Sequence, residues 1–443
     1  MMAPEHTIDY LLIGGGLASA TAAEAIRKRD PNGSILIVGD DPHYPYNRPP
    51  LSKEYLRGEI QADGTYGNGG IYVQLPAWYE EQRVELLHTE ATALDTTAKA
   101  VQLSNGRTLG YGKLLLATGG RPRRLDIPGM DLPGVRVLRT LDDADALRNE
   151  LAKPGREVVV IGSGFIGLET AANALFRHAN VTIVEPLPLP LASLLPPALG
   201  QYLRQQFERR GSSLRYLHKP SEFVAGDGGR VNSVRIEPSG DDPAATAEEL
   251  RCDLVLVGVG IQLNTELAQA AGLEVDQRHG IVVNERLQTS APDIFAAGDV
   301  AAYPDPIVGR THFEHWDTAI ATGQTSGANM AGAGEAYRHV PYFFSDQFDL
   351  VINVLGYLGH QAILVVRGEP ANDQFTTLFV DDGVLRGAVM INDDAQMDLL
   401  RELIAAQTRV PDLQALHDAG FDLASLKEAH LDVPAEAAGR ETA

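Results

Sequence analysis

One pattern, occurring twice, constrains this chain most: a short apolar run, a glycine turn, an alanine-rich stretch, then a second apolar run. Residues 8–13 (IDYLLI) lead into Gly14, Gly15 and Gly16. Ala18 to Arg29 has the composition of a helix, and Ile35 to Val38 is apolar again. The pattern returns over 156–185, where EVVVIG runs into GSGFIGLETAANAL and then VTIVE. Strand, glycine turn, helix and strand in that order make a parallel βαβ unit, because parallel strands need a crossover between them. Two such units predict an α/β chain with two Rossmann-like domains.

The turns themselves carry chemistry. In the first, Gly14 permits a tight turn and Gly16 lets the backbone approach a pyrophosphate, which rests on the free N–H groups of the helix N-terminus. Ser19 is small enough for the third site, and Asp40 at the end of the second strand can accept hydrogen bonds from ribose hydroxyls. The second turn, Gly162-x-Gly164-x-x-Gly167, is complete, and Glu185 closes the next strand. An acid there binds a ribose 2′-hydroxyl and repels a 2′-phosphate, so it predicts NADH over NADPH. One glycine turn alone also serves packing with no ligand. Two complete units in one chain point to two dinucleotides.

The rest of the chain sets limits. Asn105-Gly106 within VQLSNGRTLG suggests a hairpin turn. Residues 62–70 (ADGTYGNGG) read as a flexible loop, part of a 62–75 stretch of unknown role, and DLVLVGVG (253–260) and DIFAAGDV (293–300) as two buried strands. From about 331 the rhythm changes to aromatic-rich YFFSDQF, short strands and helical segments, a third α+β domain; the terminal PAEAAGRETA reads as frayed. The expected domains are a discontinuous first one over 1–124 and 249–330, a second over 125–248, and a C-terminal interface domain over 331–443. The chain's single cysteine, Cys252, excludes both a structural disulfide and a redox dithiol pair. A net charge of -22 disfavours nucleic acid and anionic membranes as partners. No apolar run reaches the roughly 18 residues of a membrane span. No signal peptide is evident at the N-terminus, so the cytoplasm is the expected compartment.

LLIGGG, YNRPPLSKEYL (46–56), LLLATGG (114–120), VVVIGSGFIGLE (158–169), IFAAGDVA (294–301) and FEHW (313–316) occur in that order. Together they resemble the two-dinucleotide flavoprotein reductases, and RPPLSK points to the ferredoxin-reductase and apoptosis-inducing-factor branch. The resemblance covers about residues 8–400. It implies a glutathione-reductase-like fold, with FAD in the first site, NADH in the second and a C-terminal domain beyond. It implies that Gly14 and Gly16 cradle the FAD pyrophosphate, Asp40 binds the adenosine ribose and Arg48 lies near the pyrophosphate. It places Lys53 near the flavin, Thr118, Gly119 and Arg123 where the chain leaves the first domain, Asp299 on the ribityl chain and Trp316 at the pyrimidine end. In the second site it implies Gly162, Gly164, Ile166, Gly167 and Glu185, with Gly260, Glu314 and His315 on the nicotinamide side.

Lys53 and Glu169 come out of the resemblance as a buried pair beside the reacting atoms, the ammonium stabilising negative charge as hydride arrives. The plainer alternative is a solvated lysine and a helix-face acid. Phe165, inside the second turn, is implied to cover the flavin; otherwise it is a core residue. His312 and His315 are weakly readable as a metal pair, with no further Cys or His cluster in support. Relatives often carry Trp where this chain has Phe344, a smaller ring able to stack on flavin or nicotinamide. Cys252 opens a buried run, where inert packing is expected. The reading is an NADH oxidoreductase: hydride passes from NADH to FAD, and electrons go singly to an external ferredoxin- or rubredoxin-type carrier. An NADH-sensing flavoprotein and an NADH oxidase or quinone reductase stay open, as does a homodimer.

Overall fold

The computed structural model describes residues 4–240, 246–359, 361–418 and 420–429. The chain divides into two compact units, Met1–Ala192 with Pro197–Arg338, and Ser193–Pro196 with His339–Ala443.

In the first unit the N-terminal pattern folds as its periodicity predicts. Strand Thr7–Ile13 pairs in parallel with Ile35–Gly39 and with Thr108–Leu116, and helix Leu17–Arg29 makes the crossover. Val84–His88 extends one side of this sheet and Ile294–Ala296 pairs in parallel with Thr108–Leu116. Leu11, Leu12, Leu114, Leu115 and Leu116 are wholly buried, as continuous apolar strands covered on both faces must be. The hairpin at Asn105-Gly106 is present, with Gly106 at φ +87° between the paired strands Ala100–Leu103 and Thr108–Leu116. Helix Trp316–Met330 lies close against Leu17–Arg29. A Cβ on Gly323 would sit 2.2 Å from the Thr21 hydroxyl, and one on Gly327 2.3 Å from the Ala22 carbonyl. Those two glycines let the helix backbones approach and so set where Trp316 begins its helix.

The second glycine turn sits in a separate parallel sheet, ordered Ser213–Tyr216, Asn180–Glu185, Glu157–Ile161, Leu254–Val257, Val135–Arg136. The expected boundary at 248/249 therefore moves. Glu248–Arg251 completes an antiparallel sheet with Val231–Pro238, and Leu254–Val257 pairs with Glu157–Ile161, so the second domain runs through Val257. An apolar run announces a buried strand, but not which of two sheets it joins. The chain crosses between the domains on one two-stranded ribbon, Gly120–Pro122 against Ile261–Leu263.

Two further expectations change. The loop over 62–70 is folded back on itself: the N–H of Tyr66 donates to the Tyr72 carbonyl (3.1 Å) and that of Tyr72 to the Gly64 carbonyl (2.8 Å). Gly70 and Ile71 are buried beneath it. Glycine here serves closure, with Gly64, Gly67 and Gly69 all at positive φ. The C-terminal boundary falls at 339 and not 331. Tyr337 is buried and its N–H donates to the Glu285 carbonyl (2.7 Å), while the Asn329 side chain ties down Glu335, so this stretch stays in the first unit.

The second unit is a five-stranded antiparallel sheet ordered Tyr342–Gln347, Leu350–Gly356, Val384–Ile391, Gln374–Asp381, Ile363–Glu369. Helix Met397–Ala405 packs Leu400, Leu403 and Ile404 onto Leu355, Leu378 and Leu385. The buried Arg367 guanidinium donates to the carbonyls of Leu416 (2.7 Å), Asp418 (2.9 Å) and Phe421 (2.8 Å), fastening the segment that follows. The terminal PAEAAGRETA lies outside the described residues. Among the described residues no helix is long and apolar enough to cross a membrane.

Candidate functional site

The first turn is built to admit an anion. Gly14 stands at φ +120°, and a Cβ there would lie 2.1 Å from the Ala117 carbonyl oxygen, so no side chain is tolerated. A Cβ on Gly16 would meet nothing within 4 Å. Gly16 is the N-cap of helix Leu17–Arg29 and no side chain caps the helix, which leaves its first N–H groups to an incoming acceptor. Asp40 follows strand Ile35–Gly39 directly and is exposed.

Cations gather at the same end. Solvent reaches Arg48, yet protein walls surround it. Burial between those walls, then the like charge of Arg139, lowers its pKa. Arg139 donates from Nη2 to Asp299 Oδ2 (2.8 Å), while its Nε is buried with no hydrogen-bond partner among the described residues. Gly119, at φ +59°, places its absent Cβ 3.5 Å from that guanidinium, and Gly298, beside Asp299, lies against Ala18 of the first-turn helix. Two guanidinium groups, one carboxylate, an orphaned donor and an open glycine cradle fit a pyrophosphate with a polyhydroxyl chain.

In the second turn Gly162 (φ +97°) would drive a Cβ to 2.4 Å from the Gly258 carbonyl, and Gly167 to 2.2 Å from that of Gly162. Gly164 again faces open space and is an N-cap without a side-chain cap. Phe165, the first helical residue, is half-buried, and Ile166 beside it is exposed. Glu185 is buried, and its carboxylate accepts from the Ser163 N–H (2.7 Å), the Ser163 hydroxyl (2.9 Å) and the Leu187 N–H (3.0 Å). The acid is thus fastened to the glycine turn itself, with Oε1 accepting only one of these bonds.

Between the turns lies the pair expected from the motifs. Lys53 Nζ is 2.9 Å from Glu169 Oε2, with both side chains 3% exposed. The lysine follows the short 3-10 helix Pro49–Ser52, and the glutamate lies on helix Phe165–Phe176. Ser52 donates to the same carboxylate oxygen, Lys53 also donates to the Pro49 carbonyl (3.3 Å), and Asn173 Nδ2 donates to the carbonyls of Ser52 (2.6 Å) and Glu169 (2.9 Å). A buried ion pair survives only with supporting hydrogen bonds, and this network supplies several of them.

Other expected residues fall around this centre. Thr118 Oγ1 donates to the Asn264 carbonyl (2.6 Å), and Arg123 Nε to that of Ile261 (2.7 Å), while the Arg123 N–H donates to the Gly260 carbonyl (3.0 Å). These three secure the crossover ribbon, and the Arg123 side chain is exposed. His315 is the N-cap of helix Trp316–Met330, its ring stacked on Phe313 at 5.4 Å. Glu314 is exposed. His312 does not pair with His315: its Nδ1 lies 3.2 Å from His279 Nδ1. No group of three or more His, Cys, Asp or Glu residues among the described ones is placed to hold a metal. Phe344 lies on the first strand of the second unit, stacked on Tyr342 at 6.2 Å. Burial pushes the Cys252 thiol up to about 12, which makes it inert at neutral pH.

The sequence reading missed Arg139, Ser52, Asn173 and Ser163. A signal existed for Arg139: it immediately precedes Thr140, whose side chain and that of Asp143 form a capping box, so the arginine stands at a helix entrance. The others occupy unremarkable positions within motifs.

A family model described as pyridine nucleotide-disulphide oxidoreductase matches residues 8–323, and one described as reductase C-terminal matches residues 342–427. The ferredoxin–NAD(+) reductase component of the anthranilate 1,2-dioxygenase system of Burkholderia cepacia is 37% identical over 412 residues, covering 92% of this chain and 97% of that one. Rhodocoxin reductase of Rhodococcus erythropolis is 34% identical over 436 residues, 97% of this chain and 98% of the relative. The covalent putidaredoxin reductase–putidaredoxin complex superposes with a TM-score of 0.87 at 30% identity, over 97% of this chain and 100% of that one. The chain belongs to the pyridine nucleotide-disulphide oxidoreductase family. It is a flavoprotein oxidoreductase that uses FAD and a pyridine nucleotide, and it lacks the dithiol that gives the family its name.

Proposed function

We propose that this chain takes hydride from NADH and delivers electrons singly to a ferredoxin-type carrier. The observation that carries the reading is the buried Lys53–Glu169 pair, which joins the segment after Pro49–Ser52 to the helix of the second glycine turn, in a chain with no second cysteine. Bound FAD supplies the passage from two-electron to one-electron chemistry. Around it Gly14 and Gly16 cradle the pyrophosphate, Arg48 and Arg139 neutralise it, and Asp40 and Asp299 accept from its hydroxyls. Lys53, held by Glu169, keeps one positive charge in a water-poor site where negative charge develops. Gly162, Gly164 and Gly167 receive the second dinucleotide, Glu185 takes its ribose, and Phe165 and His315 bound the place where the two rings meet.

The acceptor follows from what is missing and from the relatives. Without a dithiol the electrons leave the chain. A ferredoxin–NAD(+) reductase component and rhodocoxin reductase are similar to this chain over nearly its whole length. NADH is an intracellular reductant, so the reading carries a cytoplasmic location with it. Anaerobic stopped-flow reduction with NADH, followed by mixing with oxygen or with a one-electron acceptor, tests it. Fast flavin bleaching, slow reaction with oxygen and fast one-electron reoxidation are expected. A long-wavelength band that resists both acceptors overturns the reading in favour of an NADH-sensing protein.

A further inference from the structure

Trp316 is the first residue of a 15-residue helix, so its side chain has no preceding turn to pack on and needs an outside hold. It has one. Its Nε1 donates to Asn47 Oδ1 (2.6 Å), and the Tyr66 ring meets the indole edge-on with centroids 6.0 Å apart. Asn47 is 3% exposed and committed at both ends of its amide. While its oxygen faces the indole, its Nδ2 donates to the carbonyls of Ile71 (3.1 Å) and Tyr72 (3.3 Å), and its backbone N–H also donates to Ile71 (2.7 Å). That pattern allows one orientation of the amide, because a flip would set oxygen against carbonyls and NH2 against the indole N–H.

Tyr66, Ile71 and Tyr72 all belong to the glycine-rich loop whose purpose the sequence leaves open. The same loop is closed by its own backbone bonds and anchored by the wholly buried Ile71. Asn47 in turn belongs to the short segment that carries Arg48 and Lys53. We propose that Asn47 and Tyr66 are positioning residues that clamp the Trp316 indole as a fixed wall of the first cofactor site, and that the 62–75 loop exists to hold this clamp. The inference rests on the reading that Trp316 borders the flavin. It adds what fixes the indole there and ties it to the segment bearing Lys53.

The test uses the holoenzyme. The chain has two tryptophans, so a Trp78→Phe background leaves Trp316 as the only indole emitter. In that background Tyr66→Ala and Asn47→Leu are expected to raise indole emission as the ring loosens from the quenching flavin. Both are expected to shift the flavin midpoint potential. Flavin reduction should slow by about fivefold, the scale of one lost hydrogen bond for Asn47→Leu or one lost aromatic edge contact for Tyr66→Ala, at unchanged KM for NADH. Tyr66→Phe, which keeps the ring edge, should restore all three. If Trp316→Phe moves the potential but Tyr66→Ala leaves emission, potential and rate as they were, the clamp is wrong. If Trp316→Phe moves nothing, the placement of Trp316 beside the flavin fails and the clamp falls with it. Should Asn47→Leu not retain FAD, Tyr66→Ala with its phenylalanine rescue decides alone.

Discussion

Lys53 and Glu169 neutralise each other where neither reaches water, and their value to stability and to chemistry can be separated. Removing one partner strands a charge, at about 3–5 kcal/mol, whereas replacing both with uncharged groups of similar size is close to neutral. Glu169→Gln is therefore expected to lower the unfolding midpoint clearly, and Lys53→Met/Glu169→Gln to recover most of it. Flavin reduction by NADH should stay slowed in the double variant, by about 100-fold, because the positive charge is gone. Recovery of the rate along with the stability would refute the proposed role. The glycines of the first turn separate in the same way. Gly14→Ala forces a Cβ to 2.1 Å from a carbonyl oxygen and should fail to fold properly, whereas Gly16→Ala meets only open space. The Gly16 variant is expected to fold with ordinary secondary structure by circular dichroism and to purify largely free of FAD. Both glycines and the Lys53–Glu169 pair were legible in the sequence, since motif order carries them. Arg139 was not: its partner Asp299 is remote in the chain, and only the folded crossover brings them together.

At the scale of elements, the two βαβ units were readable because buried parallel strands are continuous apolar runs and their turns demand glycine. Leu254–Val257 is readable as a strand, but the sheet it joins is not, because its pairing with Glu157–Ile161 is a long-range choice between two parallel sheets. Strand Ile294–Ala296 shows what fixes such a choice. Asp293, just before it, sits at φ +67° between Lys99 and Lys113 and takes hydrogen bonds from both, which pins the strand to Thr108–Leu116. Those bonds, the one from Lys113 first, hold the Asp293 carboxyl below its ordinary pKa. A depressed carboxyl gives stability that is present above the unfolded pKa of about 3.9 and is lost as pH falls through the folded value. Asn tolerates the left-handed backbone too, so Asp293→Asn removes charge and little else. The variant should unfold more easily at pH 7, by less than about 1 kcal/mol for so exposed a cluster, and the difference should shrink as acid protonates Asp293 in the parent. A difference that persists unchanged in acid would assign the effect to packing instead.

For the molecule as a whole, the net charge of -22 is a constraint on how electrons leave. At about 0.01 M salt the screening length is about 30 Å, so an approaching acceptor feels most of the surface; at about 0.15 M it shrinks to about 8 Å, and only side chains near the exit matter. Association with an anion is thus opposed by the far field at low salt and released from it as salt rises, while a cation is steered in and then loses that help. Reoxidation of the NADH-reduced enzyme by ferricyanide is expected to speed up between those two ionic strengths. Reoxidation by a cationic one-electron acceptor is expected to slow. Stopped-flow traces of flavin colour at each salt concentration give both slopes. If ferricyanide instead slows with salt, basic side chains around the exit outweigh the acidic surface even at long range, and an acidic carrier would be drawn in by attraction from a distance rather than admitted by screening.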